Sequence, residues 1–161
     1  MHIDFFSPSQ TESVADLLHD MSVHYNGANA SSREAVRRNL LDNMLGPDSG
    51  VRLVIAEVDG RAVGMAAISL LYPAPKEQAQ LFMKELYVAS DRRSDGIGEA
   101  LMRWIARYAL AHRCIRFDWT VDTTNPRAMA FYESLGAVHV ADKRYYRFAG
   151  DALARIASTA D

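Results

Sequence analysis

The stretch from Leu81 to Leu101 reads LFMKELYVASDRRSDGIGEAL and changes character twice along its length. Residues 81–88 are apolar with two aromatic side chains, which predicts a buried strand, and an apolar-periodic helix begins at Ile97. The turn between them ends at Gly96, and Gly98 follows in the first turn of the helix. Glycine lets backbone N–H groups approach an oxyanion, and a helix N-terminus offers unpaired donors and about half a unit of positive charge. The stretch therefore predicts a phosphate-binding turn, to which Arg93 adds a forked cation.

A glycine turn of this kind is compatible with more than one function. Glycines before a helix often form a turn that binds nothing. A dinucleotide-binding fingerprint places an acid about where Asp118 stands, but it needs a third glycine at the position of Leu101 and belongs in an opening βα unit. A Walker-type loop needs Gly-Lys-Ser/Thr, which does not follow here.

The composition of the chain limits the classes of protein to which it can belong. The chain has 161 residues, of which 49% are hydrophobic, and this suits one domain over residues 1–161 with a sizeable core. A formal net charge of −2 gives no reason to expect nucleic acid or an anionic membrane as a partner. Residues 1–10 lack the pattern of a signal peptide, and no segment is long enough to span a bilayer, so we expect a soluble cytoplasmic protein. Cys114 is the only cysteine, and we predict no metal ligands.

The order of the predicted elements gives the fold class. Helices are predicted at about 9–21, 31–44, 97–111, 126–135 and 152–157. Strands are predicted at 2–6, 51–58, 61–72, 81–88, 115–121, 138–140 and 144–148. Asp59-Gly60 predicts an antiparallel hairpin, and the helix from Ile97 predicts a parallel crossover. We expect an α/β (α+β) sandwich with a mixed central sheet of about six to seven strands flanked by helices.

Two separated signatures then coincide. Residues 93–98, RSDGIG, fit Arg/Gln-x-x-Gly-x-Gly/Ala, and residues 125–137, NPRAMAFYESLGA, fit Asn-x-x-Ala-x-x-Phe-Tyr-x-x-x-Gly-Phe/Ala. Together they resemble the GCN5-related N-acetyltransferase (GNAT) superfamily, over the whole chain in element order and specifically over residues 82–137. The resemblance implies a GNAT-like fold with splayed parallel strands at the cofactor cleft, acetyl-CoA as cofactor, and acetyl transfer to an amine in a ternary complex.

The resemblance also implies residue roles. The pantetheine arm would bond the backbone of residues 86–88, the turn would take the pyrophosphate, and Tyr132 would be the general acid for the departing sulfur. The implied cofactor-binding residues are Leu86, Tyr87, Val88, Arg93, Ser94, Asp95, Gly96, Ile97, Gly98, Glu99, Asn125 and Tyr132. The N–H of Val88 is the implied oxyanion donor. Many members have glycine at Ser94, and Asp95 would repel a pyrophosphate unless it faces solvent.

The reaction needs a base, because an ammonium must lose a proton before it attacks a thioester. Glu85 is our candidate, although strand alternation by itself could point it to either face of the sheet. Asp118 and Asp122 are rivals, as bases or as anions that attract a cationic substrate. His24 and Tyr25 could line the acceptor pocket.

The tail carries a hint about the acceptor. Residues 131–137, the run 145–148 (YYRF) and the final helix resemble the end of the diamine and thialysine acetyltransferase branch. That resemblance implies a small cationic primary amine as acceptor and a homodimer. A protein or peptide amine as acceptor, and a non-catalytic acyl-CoA sensor, are the alternatives.

Overall fold

A two-residue turn at Asp59-Gly60 joins the second and third strands of the sheet in a tight hairpin. Asp59 and Gly60 both have positive φ, 51° and 76°, and Val58 pairs with Arg61 across them. Positive φ at both central residues is the geometry that joins two twisted strands through a two-residue turn. The hairpin predicted from Asp59-Gly60 is therefore confirmed. This computed structural model describes residues 1–158.

The sheet is mixed and follows the chain order. Its strands are β1 (His2–Phe5), β2 (Arg52–Val58), β3 (Arg61–Ala74), β4 (Gln78–Val88) and β5 (Cys114–Trp119). Strands β1 to β4 pair with one another in antiparallel fashion, whereas β5 pairs with β4 in parallel. The helix between β4 and β5 makes the parallel connection possible, as the sequence predicts.

The α-helices of the described residues are α1 (Thr11–Asn26), α2 (Arg33–Asn39, continued by a π turn at Leu40–Met44), α3 (Ile97–Ala111), α4 (Pro126–Ser134) and α5 (Asp151–Ser158). The first two pack on one face of the sheet, and α3 packs on the other. Met65 packs in the cluster that α1 and α2 bury, with Val14 and Leu40. The preceding residue, Gly64, faces α3, because a Cβ built on it would lie 2.8 Å from Cγ2 of Ile97. Successive residues of β3 therefore face opposite helix layers, α1 and α2 on one side and α3 on the other.

The fold class is confirmed, but the predicted strand count was too high. Within residues 1–158 the sheet has five strands, and the predicted strands at 138–140 and 144–148 are absent. Their apolar side chains lie in solvent, with Val138 85% and Tyr146 83% exposed. A strand exists only through its hydrogen-bonded neighbour, so an apolar run of this length does not by itself establish one.

The chain forms two compact units. The first is Met1–Asp122 and holds the whole sheet, and the second begins at Thr123 and contains α4 and α5. The expectation of one domain over residues 1–161 stays a prediction. Within residues 1–158, no helix is both long enough and apolar enough to cross a membrane.

Candidate functional site

The predicted phosphate turn lies between β4 and α3. A short 3₁₀ turn at Ser90–Arg92 follows β4, and Gly96 is the N-cap of α3 with φ 76°. A Cβ added to Gly96 would meet no heavy atom of the described residues within 4 Å. The first-turn amides of α3 have no acceptor within their own helix. An anion can therefore approach these donors over the open side of Gly96.

The two departures from the family motif have a structural basis. Ser94 has φ 74°, a left-handed conformation that glycine adopts at lower cost, which is why glycine suits this position. The carboxylate of Asp95 pairs with Nε of Arg92 at 3.0 Å, and its side chain is 49% exposed. Its negative charge is thus partly compensated by Arg92 and partly screened by solvent.

Arg93 connects the turn to the end of β4. Its guanidinium lies 5.6 Å from the centre of the Tyr87 ring, and its Nε donates to the carbonyl oxygen of Val88 at 3.4 Å. The sequence predicts a cation for the pyrophosphate at Arg93. The contacts show that this cation also braces the turn against β4.

The end of β4 has one free edge. The pairing of β4 with β5 ends at Met83 and Trp119, whereas its pairing with β3 continues to Val88 and Gly64. Ala89 N–H donates to Val63 on β3 at 3.0 Å. Because successive residues of a strand point their amides to opposite sides, the N–H of Val88 points away from β3. An extended ligand could bond this edge along residues 86–88, as the family resemblance implies.

A bulge determines where Glu85 points. Ala67 pairs with Glu85 and Ile68 pairs with Met83, so Lys84 is an extra residue in β4. Because side chains alternate between the two faces of a sheet, one extra residue moves each later side chain of the strand to the opposite face. Glu85 and Tyr87 consequently share the face of their β3 partners, which is the face that α1 and α2 cover.

The end of α1 meets Glu85 on this face. The Tyr25 hydroxyl donates to Oε1 of Glu85 at 3.2 Å. The rings of His24 and Tyr25 both lie near Tyr87, with centroids 6.0 and 6.4 Å from its ring. Burial raises the pKa of Glu85, and the Tyr25 hydrogen bond opposes part of that shift. A carboxylate that ionises reluctantly is a better proton acceptor than an exposed one, so the arrangement suits a general base.

Asp20 is a site residue that sequence reasoning missed. Its carboxylate accepts a hydrogen bond from the Tyr87 hydroxyl at 2.8 Å and from Ser90 N–H at 3.3 Å. Burial opposes ionisation of Asp20, but these hydrogen bonds outweigh it, and its pKa is lowered. Burial and the Asp20 carboxylate together raise the pKa of Tyr87. The sequence did offer one signal for Asp20. It lies four residues before His24, a candidate pocket residue, and so shares a helix face with it.

The rival acids lie elsewhere in the first unit. Oδ2 of Asp118 accepts from Gln80 at 2.9 Å and pairs with Nε of Arg116 at 3.0 Å, so its carboxylate is engaged along β5. Asp122 is exposed, three residues after the strand. Burial raises the pKa of the Cys114 thiol, which is the wrong direction for a thiolate nucleophile.

The second motif forms α4 in the second unit. Asn125 is the N-cap, with its side-chain oxygen accepting from Ala128 N–H at 3.0 Å, and Pro126 takes the first helical position as predicted. The ring of Tyr132 lies 5.1 Å from that of Phe131. The cap uses the Asn125 oxygen, and its amide nitrogen is the part left for the cofactor role that the motif implies.

Both motifs lie in a stretch that matches one known family. A family model described as the acetyltransferase (GNAT) family matches residues 14–137. The chain belongs to this family. The match also contains most of the sheet, so the resemblance that the two motifs indicate is confirmed for this GNAT protein.

Curated relatives that are named acetyltransferases agree with this family, and a solved structure shares the fold. An integron cassette protein from the mobile metagenome of V. cholerae is 34% identical, covers 98% of each chain and superposes with a TM-score of 0.94. Thialysine N-epsilon-acetyltransferase of Bos taurus is 30% identical over 48% of this chain and 47% of its own length. L-2,4-diaminobutyric acid acetyltransferase of Nocardia farcinica is 29% identical over 51% of this chain and 41% of its own. This GNAT protein thus spans about half the length of the curated relatives it matches.

Proposed function

We propose that this GNAT protein transfers an acetyl group from acetyl-CoA to a primary amine of a small cationic molecule. The observation that carries the proposal is the arrangement along one strand. Glu85, a shielded carboxylate, lies on β4 just before the open edge at residues 86–88, and the phosphate turn follows directly. A base, an edge for an extended chain and an anion site therefore occur in that order.

The residues of the turn fit a diphosphate. They offer helix-start amides, an open approach over Gly96 and the positive charge of Arg93. The backbone edge at 86–88 suits the amide groups of a pantetheine arm. When bound, acetyl-CoA would supply an activated thioester. Asn125 belongs to the same proposal through its place in the second motif.

Three groups of this chain would then move or hold protons. Glu85 takes a proton from the acceptor ammonium, helped by the burial that raises its pKa. The N–H of Val88, which points to the free edge, stabilises negative charge on the acyl oxygen. Tyr132 donates a proton to the departing sulfur, a role supported by its match to the family motif.

A small acceptor is supported by a cavity next to the contact of Tyr25 with Glu85. A cavity of about 250 Å³ opens between α1 and α2, lined by Leu18, Met21, Ser22, Tyr25, Asn26, Ser31, Ala35, Val36, Asn39 and Met44. It is smaller than the roughly 300–1,000 Å³ of sites for drug-sized ligands. Tyr25 belongs both to this wall and to the Glu85 contact. Two of the curated relatives have names that specify acceptors with amino groups, thialysine and L-2,4-diaminobutyric acid.

A homodimer and a cytoplasmic location complete the proposal, and both rest on the sequence. The V. cholerae cassette protein supports the fold and leaves the acceptor open, since its description names no substrate.

The test is an assay of free thiol released from acetyl-CoA with a panel of diamines, polyamines, diamino acids, aminoglycosides and a peptide. We expect release with small diamines or diamino acids, and a fall of about 10²–10⁴-fold in kcat for Glu85→Gln. Glu34→Gln, an exposed acid on α2, is the matched control and should keep full turnover. Calorimetry with acetyl-CoA runs in parallel. Binding without release from any amine would indicate a sensor, and the absence of binding would refute the proposal.

A further inference from the structure

The cavity between α1 and α2 has a wall without formal charge. All the residues that line it belong to the first unit, and none of them is an acid or a base. Part of the wall is apolar, since Leu18 is 2% exposed and Met21, Val36 and Met44 pack against the same buried cluster. The hydrogen-bonding side chains of the wall, apart from Tyr25, are those of Ser22, Asn26, Ser31 and Asn39. A molecule in this cavity therefore meets apolar surface and neutral polar groups.

The acids of α1 are all engaged in other contacts. Arg33 pairs with both Glu12 and Asp16, and Arg37 pairs with Glu12. Asp20, the remaining acid of this helix, accepts a hydrogen bond from the end of β4. A positive charge placed in the cavity would find no carboxylate in the wall and none on α1 without another partner. A charge that leaves water for such a place is costly, because nothing replaces its hydration.

Two asparagines give the wall both a donor and an acceptor. Nδ2 of Asn26 donates to the carbonyl oxygen of Ser22 at 3.0 Å, so the Asn26 side-chain oxygen is left as an acceptor. The side-chain oxygen of Asn39 accepts from Nδ2 of Asn43 at 2.9 Å, so the Asn39 amide nitrogen is left as a donor. A carboxamide both donates and accepts, and it can satisfy the two together.

A π turn brings Asn39 and Met44 to the same wall. Leu45 N–H donates to the carbonyl oxygen of Leu40 at 3.0 Å, which is the five-residue spacing of a π turn. Side chains five residues apart diverge around an α-helix but lie closer together around this wider turn. Single π turns within helices occur frequently at functional sites. The irregularity in α2 therefore shapes the wall of this cavity.

We propose that the acceptor carries one positive charge, on the amine that reacts, and ends in an uncharged hydrogen-bonding group such as a carboxamide. Tyr25 lines the cavity and contacts Glu85, so an amine held at Glu85 leaves the rest of the molecule to extend past Tyr25 into the cavity. The apolar wall covers the carbon chain, and Asn26 and Asn39 bond the far end. This inference rests on the proposed acetyl transfer and specifies its acceptor.

The test compares three acceptors of equal chain length in the thiol-release assay. They are 5-aminopentanamide, cadaverine and 5-aminopentanoate, whose far ends are neutral, positive and negative. We expect all three to be acetylated, with a kcat/KM for 5-aminopentanamide about tenfold or more above that for either charged analogue. The difference should lie mainly in KM, because the far end does not take part in the chemistry.

Asn39→Asp should shift this preference towards cadaverine. The substitution retains an acceptor for Asn43 and adds a carboxylate to the wall. We expect the ratio of kcat/KM between cadaverine and 5-aminopentanamide to rise about tenfold or more. Asn29→Asp is the charge-matched control, since Asn29 is exposed in the turn after α1 and does not line the cavity. Its ratio should equal that of the wild type.

A second variant covers the case in which Asn39→Asp does not fold. Asn39→Ala removes the donor and should raise KM for 5-aminopentanamide while leaving kcat/KM for cadaverine unchanged. Turnover of cadaverine by the wild type as efficient as that of the amide would overturn the inference and leave acetyl transfer intact. A preference for 5-aminopentanoate would also overturn it and would point to the arginines of α2. Release of thiol with no amine would overturn the proposed function and the inference together.

Discussion

The Tyr25 hydroxyl donates a hydrogen bond to Oε1 of Glu85 over 3.2 Å, which ties the end of α1 to β4. Burial raises the pKa of this carboxyl, and the hydrogen bond limits the rise. The protonation of the proposed base is therefore adjusted by a residue on another element. Tyr25 is a positioning residue for Glu85 in this scheme.

Tyr25→Phe should move the acid limb of the pH–rate profile to higher pH. Loss of the donor raises the pKa of Glu85 further, so a smaller fraction is ionised at a given pH below the plateau. A lost hydrogen bond of about 0.5–1.5 kcal/mol corresponds to a two- to tenfold lower kcat/KM on that limb, with recovery at high pH. Steady-state kinetics across pH check this. Tyr72→Phe, 67% exposed on β3, should leave the profile unchanged. A uniform loss at every pH would contradict the role.

Gly96→Ala should separate backbone strain from anion binding. Gly96 and Gly60 have the same φ of 76° and the same open surroundings, so alanine at either position costs about 1–2 kcal/mol in strain. Only at Gly96 would the added methyl lie where the phosphate approaches. We expect similar losses of unfolding free energy in both variants, and at least tenfold weaker acetyl-CoA binding in Gly96→Ala alone, measured by calorimetry. Equal affinities would place the phosphate elsewhere.

Tyr132→Phe should lower turnover and leave cofactor binding intact. The variant keeps the ring beside Phe131 and removes only the hydroxyl that the family motif assigns to the leaving sulfur. General acid catalysis contributes about 10²–10⁴-fold, and a thiolate leaves readily without full protonation, so we expect the low end of this range in kcat. Single-turnover kinetics measure the effect on the chemical step, and a separate binding assay measures the affinity for acetyl-CoA. Unchanged kcat would remove Tyr132 from the mechanism.

Asp20→Asn should destabilise the protein in a pH-dependent way. The pKa of Asp20 is lowered in the folded state, so its stabilising effect is present above the unfolded pKa of about 3.9 and is lost as pH falls through the folded value. We expect a deficit of about 1 kcal/mol at neutral pH, since asparagine still accepts from Tyr87 but without the charge. The deficit should vanish in strong acid. Urea unfolding at several pH values measures it, and a deficit independent of pH would exclude the carboxylate as its source.

Much of the site could be predicted because it is encoded locally. The hairpin at Asp59-Gly60, the turn before α3 and the Asn125 cap each follow from the φ preferences or hydrogen-bonding groups of a few adjacent residues. The two motifs begin 32 positions apart, at Arg93 and Asn125, and their joint match identified the family that the family model shows.

Other features depended on contacts between distant parts of the chain. The face of Glu85 follows from the extra residue Lys84, which exists only relative to the pairing of β4 with β3. Asp20 lies 67 residues from Tyr87, and no local pattern indicates that they meet. Residues 138–148 have the composition of strands, yet no neighbouring strand pairs with them in the described chain.

The amino-acid sequence by itself therefore determined the glycine turn before α3, the hairpin, the parallel crossover and the family, because backbone preferences and helical periodicity act over a few residues. Only the tertiary structure decided which face carries Glu85, which acid meets Tyr87 and which strand edge stays open. Those outcomes depend on register and packing, and a single residue of register reverses every side chain beyond it.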